Sequence, residues 1–432
     1  MTRGRGSSTH RAERLVGHNL IVGAGTVLAG LLGFAFQAVI SHRLAPADYG
    51  FAFAVLTVLS LIWLPASAAT LVMARETSRD RAAGRAERSA SVLHTANRAV
   101  LLAGGGLAAL MILASPLLAA FLRVPAVLLS AGAVGLPFGL ALPLLLGALQ
   151  GAQRFRAFAL ISAGQAAAKL ICGLGLGFAF GPVGVLAGVS FGSLMVYGIA
   201  LALMPPPVAP IPKPAWRPIM AYFGVILPGT LSLAVLVSAD VILVKHYFGA
   251  REAGQYAAVA ALGRSIFWAA TGVAGVLFPK MIFREARGDS ARYVLMASLL
   301  LTVLAGTVGI AVMAAWSRPI LTAFAGAGFA PAAAYLPWYA VGMSLLGAAA
   351  VLVAAHQSRR AIRLLWILVP ISVLEPALIV VLHQSLMQVV GWVDLASALL
   401  LAGLTALMIA EERRHAGEAE RRTSMTAAGM SP

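Results

Sequence analysis

The sequence predicts an all-α polytopic membrane protein of about 12 transmembrane helices, arranged as two six-helix lobes related by a parallel pseudo-two-fold. Three observations carry this. Hydrophobic residues make up 60% of the chain and charged residues 11%, with a mean hydropathy of +0.90. A soluble domain has about 25% charged residues, and no water-soluble core hides this much apolar surface. Apolar runs of spanning length fill the chain on both sides of one proline-rich stretch, and basic residues collect in loops on one side of those runs.

A bilayer core needs roughly 20 apolar residues per helix. Spans are therefore expected at 19–41, 51–74, 99–122, 126–149, 157–180 and 183–204. The second set lies at 219–243, 254–278, 293–316, 332–355, 362–382 and 389–410. Between the sets, 204–218 reads MPPPVAPIPKPAWRP. Proline lacks a backbone donor and fixes φ, so this segment is expected to be an extended spacer rather than helix. The domains that follow are an N-terminal lobe (1–204), a cytoplasmic linker (205–218), a C-terminal lobe (219–410) and a cytoplasmic tail (411–432).

The formal net charge of +17 does not indicate nucleic-acid binding, because the basic residues sit in short loops between apolar spans. Of the 32 lysines and arginines, 25 fall on the side of the termini and the linker; Arg43, Arg123, Lys245, Arg251 and Arg318 fall on the other. That asymmetry places both termini in the cytoplasm. Cys172 is the single cysteine, so disulfides within the chain are excluded. The polar, basic first 17 residues precede an apolar run too long for a signal-peptide core, and are expected to remain as a cytoplasmic tail.

An even number of spans per lobe makes both lobes enter the membrane the same way. A short repeat agrees: Asp48-Tyr49-Gly50 opens the second span and Glu252-Ala253-Gly254 the eighth. Gly181-Pro182 alone joins the fifth and sixth spans. Gly173, Gly177 and Gly181 on one, with Gly184, Gly188 and Gly192 on the other, form small-residue faces expected to pack closely. Pro137, Pro143, Pro228, Pro337, Pro370 and Pro376 fall inside spans, where each kinks or breaks a helix. Bent helices around a cavity suit a transporter; a kinked bundle is the alternative.

Charges at membrane depth point to function. Lys169 lies about 19 Å along its helix from Arg156, Arg264 about 15 Å from Gly254 and Glu375 about 18 Å from Arg363, at 1.5 Å per residue. Gln165, Lys169 and Cys172 share a helix face, as do Arg264, Trp268 and Thr271; Gln37 and Ser41 are four apart. Lys169 and Arg264, with Gln165, Trp268 and Gln37, are the candidate substrate-binding residues. Two cations at this depth suit a phosphate-like anion. Alternatively they pair with Glu375 or Asp240. Glu375 is a candidate for a coupling proton or a fixed counter-ion. The 8 histidines have no metal-ligand spacing, no phosphate-binding loop is present, and neither a cofactor nor catalytic residues are expected. The run Asp80-Arg81-Ala82-Ala83-Gly84-Arg85 departs from the loop motif of major facilitator transporters and reads as a solvated charge run.

Several strings carry a family resemblance. Leu44-Ala45-Pro46-Ala47-Asp48-Tyr49-Gly50 follows a helix ending Phe36-Gln37-Ala38-Val39-Ile40-Ser41. Gly147-Ala148-Leu149-Gln150-Gly151-Ala152-Gln153-Arg154-Phe155 marks the turn after the fourth span. Asp240-Val241-Ile242-Leu243-Val244 and Ala253-Gly254-Gln255-Tyr256-Ala257 mark the seventh and eighth. Together these resemble bacterial polysaccharide flippases, the Wzx-like branch of the multidrug/oligosaccharidyl-lipid/polysaccharide exporter superfamily. The resemblance implies a V-shaped pair of lobes around a central, basic-lined cavity in the bacterial inner membrane. It also implies a flippase, not an enzyme, for undecaprenyl-pyrophosphate-linked oligosaccharide in lipopolysaccharide or exopolysaccharide export. Expected partners are that lipid-linked substrate, membrane lipids and polysaccharide polymerase machinery, with no nucleic acid. A multidrug-type antiporter on a similar fold is the alternative reading, and a membrane glycan polymerase or transferase the third.

Overall fold

The computed structural model describes residues 5–206, 216–285, 292–358 and 362–427. Regular structure among the described residues is helical throughout. The first two helices, α1 (Arg5–Arg43) and α2 (Pro46–Ala82), meet at a two-residue turn, and Pro46 sits in the first turn of α2, where its missing donor costs nothing. The third expected span is two helices, α3 (Ala86–Leu113) and α4 (Ser115–Leu122), and the fourth is α5 (Ala126–Ala133) and α6 (Leu136–Gly151). The breaks have one cause. Pro116 and Pro137 lie in the first turns of α4 and α6, ending the hydrogen-bond ladder of the helix before.

The fifth and sixth spans form α7 (Phe155–Ala202), which folds back on itself at Gly181, whose φ of 59° and ψ of −142° are open to glycine alone. The glycine faces explain the hairpin. A Cβ at Gly184 would collide with the Leu176 carbonyl and one at Gly188 with that of Cys172; one at Gly192 would lie 3.0 Å from the Ala168 oxygen. Each glycine thus lets one arm approach the backbone of the other.

After the linker, whose residues 207–215 lie outside the described residues, come α8 (Trp216–Tyr247), α9 (Ala250–Glu285), α10 (Arg292–Ala315) and α11 (Ser317–Ala325). A 3-10 segment (Ala327–Tyr335) leads into α12 (Leu336–Ser358), followed by α13 (Leu365–Val381) and α14 (Leu386–Ala427). Among the described residues, 9 helical stretches are long and apolar enough to cross a membrane, with the α7 hairpin counted once. At 17 residues, α13 is shorter than a full span. Helix α14 runs past the apolar stretch to Ala427, because the glutamates, arginines and alanines after 410 are strong helix formers. The chain is an integral membrane protein.

The chain divides into two compact units. The first holds Met1–Ser265 with Met313–Leu336, and the second Ile266–Val312 with Pro337–Pro432. In the first, α2, α3, α6 and α7 bury Val72, Met73, Leu93, Leu142, Leu145 and Tyr197 together, with Asn97 donating to the Tyr197 hydroxyl at 2.7 Å. In the second, a Cβ at Gly306 would strike Ser344 and one at Gly342 would strike Asp394, so α10 and α14 both approach α12 closely.

One residue of a loop departs from its sequence reading. Asp80 is only 1% exposed, and one of its oxygens pairs with Arg88 at 2.8 Å and Arg85 at 3.2 Å. The Asp80 carboxylate is buried, while residues 81–85 are exposed as a solvated run would be and Arg85 is 51% exposed. Gly84, at φ 70°, turns the chain so that both arginines return onto the α2 end.

Candidate functional site

Asp240 on α8 and Arg264 on α9 are 24 residues apart, and the tight turn between these helices brings them side by side. The guanidinium donates to Asp240 Oδ1 at 2.9 Å, with the side chains 8% and 1% exposed. Tyr256, two helical turns before Arg264, donates its hydroxyl to the other Asp240 oxygen at 2.9 Å. The Phe53 ring of α2 lies 5.6 Å from the guanidinium carbon. A buried ion pair is tolerated where its remaining oxygens and protons find partners, as here.

From Phe53 the network runs outward through aromatic contacts. Tyr49, one turn earlier on α2, stacks on Phe53 at 5.6 Å and meets Phe329 edge-on at 5.6 Å. Its hydroxyl donates to Gln37 Oε1 on α1 at 3.4 Å. Next to Gln37, Phe36 is fully buried and presents its ring to the Lys169 ammonium at 4.6 Å.

Lys169 differs from Arg264. It is half-buried, and among the described residues no carboxylate lies within ion-pair distance of it. The exposed large apolar side chains of its arm are Leu160, Ile171, Phe178 and Phe180. Lys169 is nine residues from both Leu160 and Phe178, and at 3.6 residues per turn it lies on the opposite side of the helix. Gln165, one turn earlier on the same side, is also half-buried.

The sequence-derived candidates fall into both units. Lys169, Gln165, Gln37, Asp240 and Arg264 belong to the first, while Trp268 and Glu375 belong to the second. Trp268 is 46% exposed and lies edge-on to Phe267 at 5.2 Å. Glu375 is fully buried in α13. Arg264 is paired with Asp240. Phe36, Tyr49, Phe53 and Tyr256 were not among the candidates. Their signal was helical spacing, Tyr49 to Phe53 by four and Tyr256 to Arg264 by eight, but aromatic residues at such spacings are usual in any apolar core.

The overall fold is similar to that of solved α-helical membrane transporters. A multidrug resistance MATE family transporter of the MOP superfamily, in an inward-facing conformation, superposes with a TM-score of 0.70 over 89% of this chain and 96% of its own, at 14% identity. The lipid II flippase MurJ, in an inward closed conformation, gives 0.66 over 90% and 87%, at 14% identity. A mutant of the Vibrio cholerae MATE transporter VcmN gives 0.65 over 95% and 99%, at 13% identity. No protein-family model and no curated protein matches the sequence. These neighbours are transporters, not enzymes, and the likeness is one of fold.

Proposed function

We propose that the protein is a flippase that turns undecaprenyl-pyrophosphate-linked oligosaccharide across the bacterial inner membrane by alternating access, for surface polysaccharide export. Its two lobes, 1–204 and 219–410, would move about a site at the level of Lys169, with both termini in the cytoplasm. One observation supports the reading: Lys169 lies within an apolar arm of α7, with an aromatic ring and no carboxylate against it among the described residues. A cation kept in an apolar span without a counter-charge suits an anionic ligand, here the pyrophosphate. Gln165 and Gln37 would hydrogen-bond the same head group. Arg264, neutralised by Asp240, holds α8 against α9. The polyprenyl tail would stay in lipid, and polymerase machinery would receive the product outside.

The test is complementation of a strain unable to export its surface glycan. Lys169→Ala abolishes surface glycan at unchanged membrane expression, whereas Lys169→Arg retains it. Normal glycan with Lys169→Ala sinks the cationic-site reading. The second reading, a multidrug-type antiporter, draws on the MATE likeness and on the buried Asp240. It requires the chain to change drug susceptibility in a pump-deficient host and to leave glycan export unrestored.

A further inference from the structure

The first unit holds a cavity apart from the residues described around Lys169 and Arg264. It lies at the densely basic end of the spans and encloses about 420 Å³, within the range of about 300–1,000 Å³ usual for small-ligand pockets. The ends of α2, α6 and α7 and the start of α3 surround it, all within that one unit. The walls are preformed. Ser78 on α2 donates to the Gly151 carbonyl of α6 at 3.1 Å, and a Cβ on Gly151 would collide with the Ala74 carbonyl. Asn97 and Tyr197 tie α3 to α7.

Two arginines line this cavity, each fixed by a helix-end carbonyl. Arg81 Nη1 donates to the Ala152 carbonyl at 2.7 Å, and Arg154 Nη1 to the Leu203 carbonyl at 2.6 Å. Those carbonyls stand where α6 and α7 end and have no helical partner. Each guanidinium keeps further N–H donors in its planar fork. Glu87, in the first turn of α3, lines the same cavity. Among the described residues neither arginine has a carboxylate within ion-pair distance, and Glu87 has no cation. The buried lining is polar at one place. Ser89 Oγ donates to Thr77 Oγ1 at 3.2 Å, both residues being buried, and among the described residues the Thr77 hydroxyl donates to no protein atom.

The remaining lining is apolar, with Leu93, Leu149, Leu203 and Met204 its largest side chains. Leu149 and Met204 close two of the expected spans, 126–149 and 183–204. Arg81 lies seven residues past the end of a third, 51–74, or about 10 Å along the helix. The cavity therefore sits where hydrocarbon gives way to lipid headgroups. Leu203 also ends a row of exposed apolar side chains on the second arm of α7, with Phe191, Met195 and Ile199 at successive turns. An acyl chain laid along that row brings its headgroup to the arginines.

We propose that this cavity binds one aminophospholipid of the adjoining leaflet. Arg81 and Arg154 hold the phosphodiester, the Thr77 hydroxyl donates to one of its oxygens, and Glu87 takes the headgroup ammonium. Planar guanidinium forks suit phosphate oxygens, and the unpaired carboxylate selects among phosphate-bearing heads. A phosphoglycerol head offers the phosphate but leaves Glu87 without a cation and beside a second anion. Inorganic phosphate lacks both the ammonium and the tail. The site is distinct from Lys169, which lies fifteen residues from Arg154 along α7, or about 22 Å, and it does not depend on what the protein transports.

The experiment uses the full chain, purified in a delipidating detergent and followed by native mass spectrometry and melting temperature. The probes are phosphatidylethanolamine, phosphatidylglycerol with the same acyl chains, and inorganic phosphate. One phosphatidylethanolamine binds about tenfold more tightly than phosphatidylglycerol, the scale of one charge-assisted hydrogen bond, and raises the melting temperature; inorganic phosphate does neither. Glu87→Gln, at an exposed position, removes the preference between the two lipids. Arg81→Gln with Arg154→Gln weakens both lipids at least about tenfold. If that double variant does not remain monodisperse, the Glu87→Gln comparison decides alone. Equal affinity for the two lipids in the parent overturns the inference, as does a preference that survives Glu87→Gln or stabilisation by inorganic phosphate equal to that by lipid.

Discussion

Lys169 and Arg264 are both cations within apolar spans of the first unit, yet the protein treats them oppositely. Arg264 is almost wholly buried, held by Asp240 at 2.9 Å, with Tyr256 completing the carboxylate and Phe53 covering the guanidinium. Lys169 is half-buried and, among the described residues, has a ring face in place of a carboxylate. A paired, hydrogen-bonded charge is part of the packing, and removing its partner leaves an uncompensated charge in a low dielectric. The difference teaches that two cations in apolar helices can have unlike surroundings, one paired with a carboxylate and one against a ring.

The sharpest break in that comparison is Asp240→Ala. It strands Arg264 and is expected to destabilise the protein by about 3–5 kcal/mol, read as a fall in melting temperature and in folded yield by size-exclusion chromatography in detergent. Asp240→Leu combined with Arg264→Met removes both charges and recovers most of that loss. If the double variant folds but no longer exports glycan, Arg264 is a substrate contact after all.

Next in size is Lys169→Ala, which lowers export by at least about tenfold, the scale of one charge-assisted hydrogen bond, while the melting temperature stays within about a degree or two of the parent. That inverse pattern, activity lost and stability kept, separates Lys169 from Asp240. Tyr256→Phe removes one donor from the buried carboxylate and is expected to destabilise by about 1–2 kcal/mol, with export intact at permissive temperature. Phe36→Leu takes the ring from beneath Lys169. It weakens export only about two- to fivefold, in line with roughly 0.5–1 kcal/mol for a cation–π contact.

Much of this was legible in the residues. Spanning length and charge asymmetry are one-dimensional properties, and all 12 expected spans have helical counterparts, although two are broken at prolines and the fifth and sixth make one hairpin. The glycine spacing around Gly181 announced that hairpin because close backbone approach in lipid needs small residues at a fixed period. Within the solvated 80–85 run Asp80 alone turns inward, since neither neighbouring charges nor composition tell whether a carboxylate faces water. The partner of Arg264 was likewise undetermined: Asp240 and Glu375 were both acids at apolar positions, and only the α8–α9 turn decides which one arrives.

By itself, then, the sequence determined that this chain is a helical membrane protein, where its apolar helical stretches run and which few charges fall within them. Those follow from the transfer cost of each residue and from helix periodicity. Tertiary structure alone decided which charges are neutralised and which helix ends meet. The Asp240–Arg264 pair and the meeting of Gly50 with Gly254 join residues 24 and 204 positions apart, and no local pattern encodes a distance of that kind.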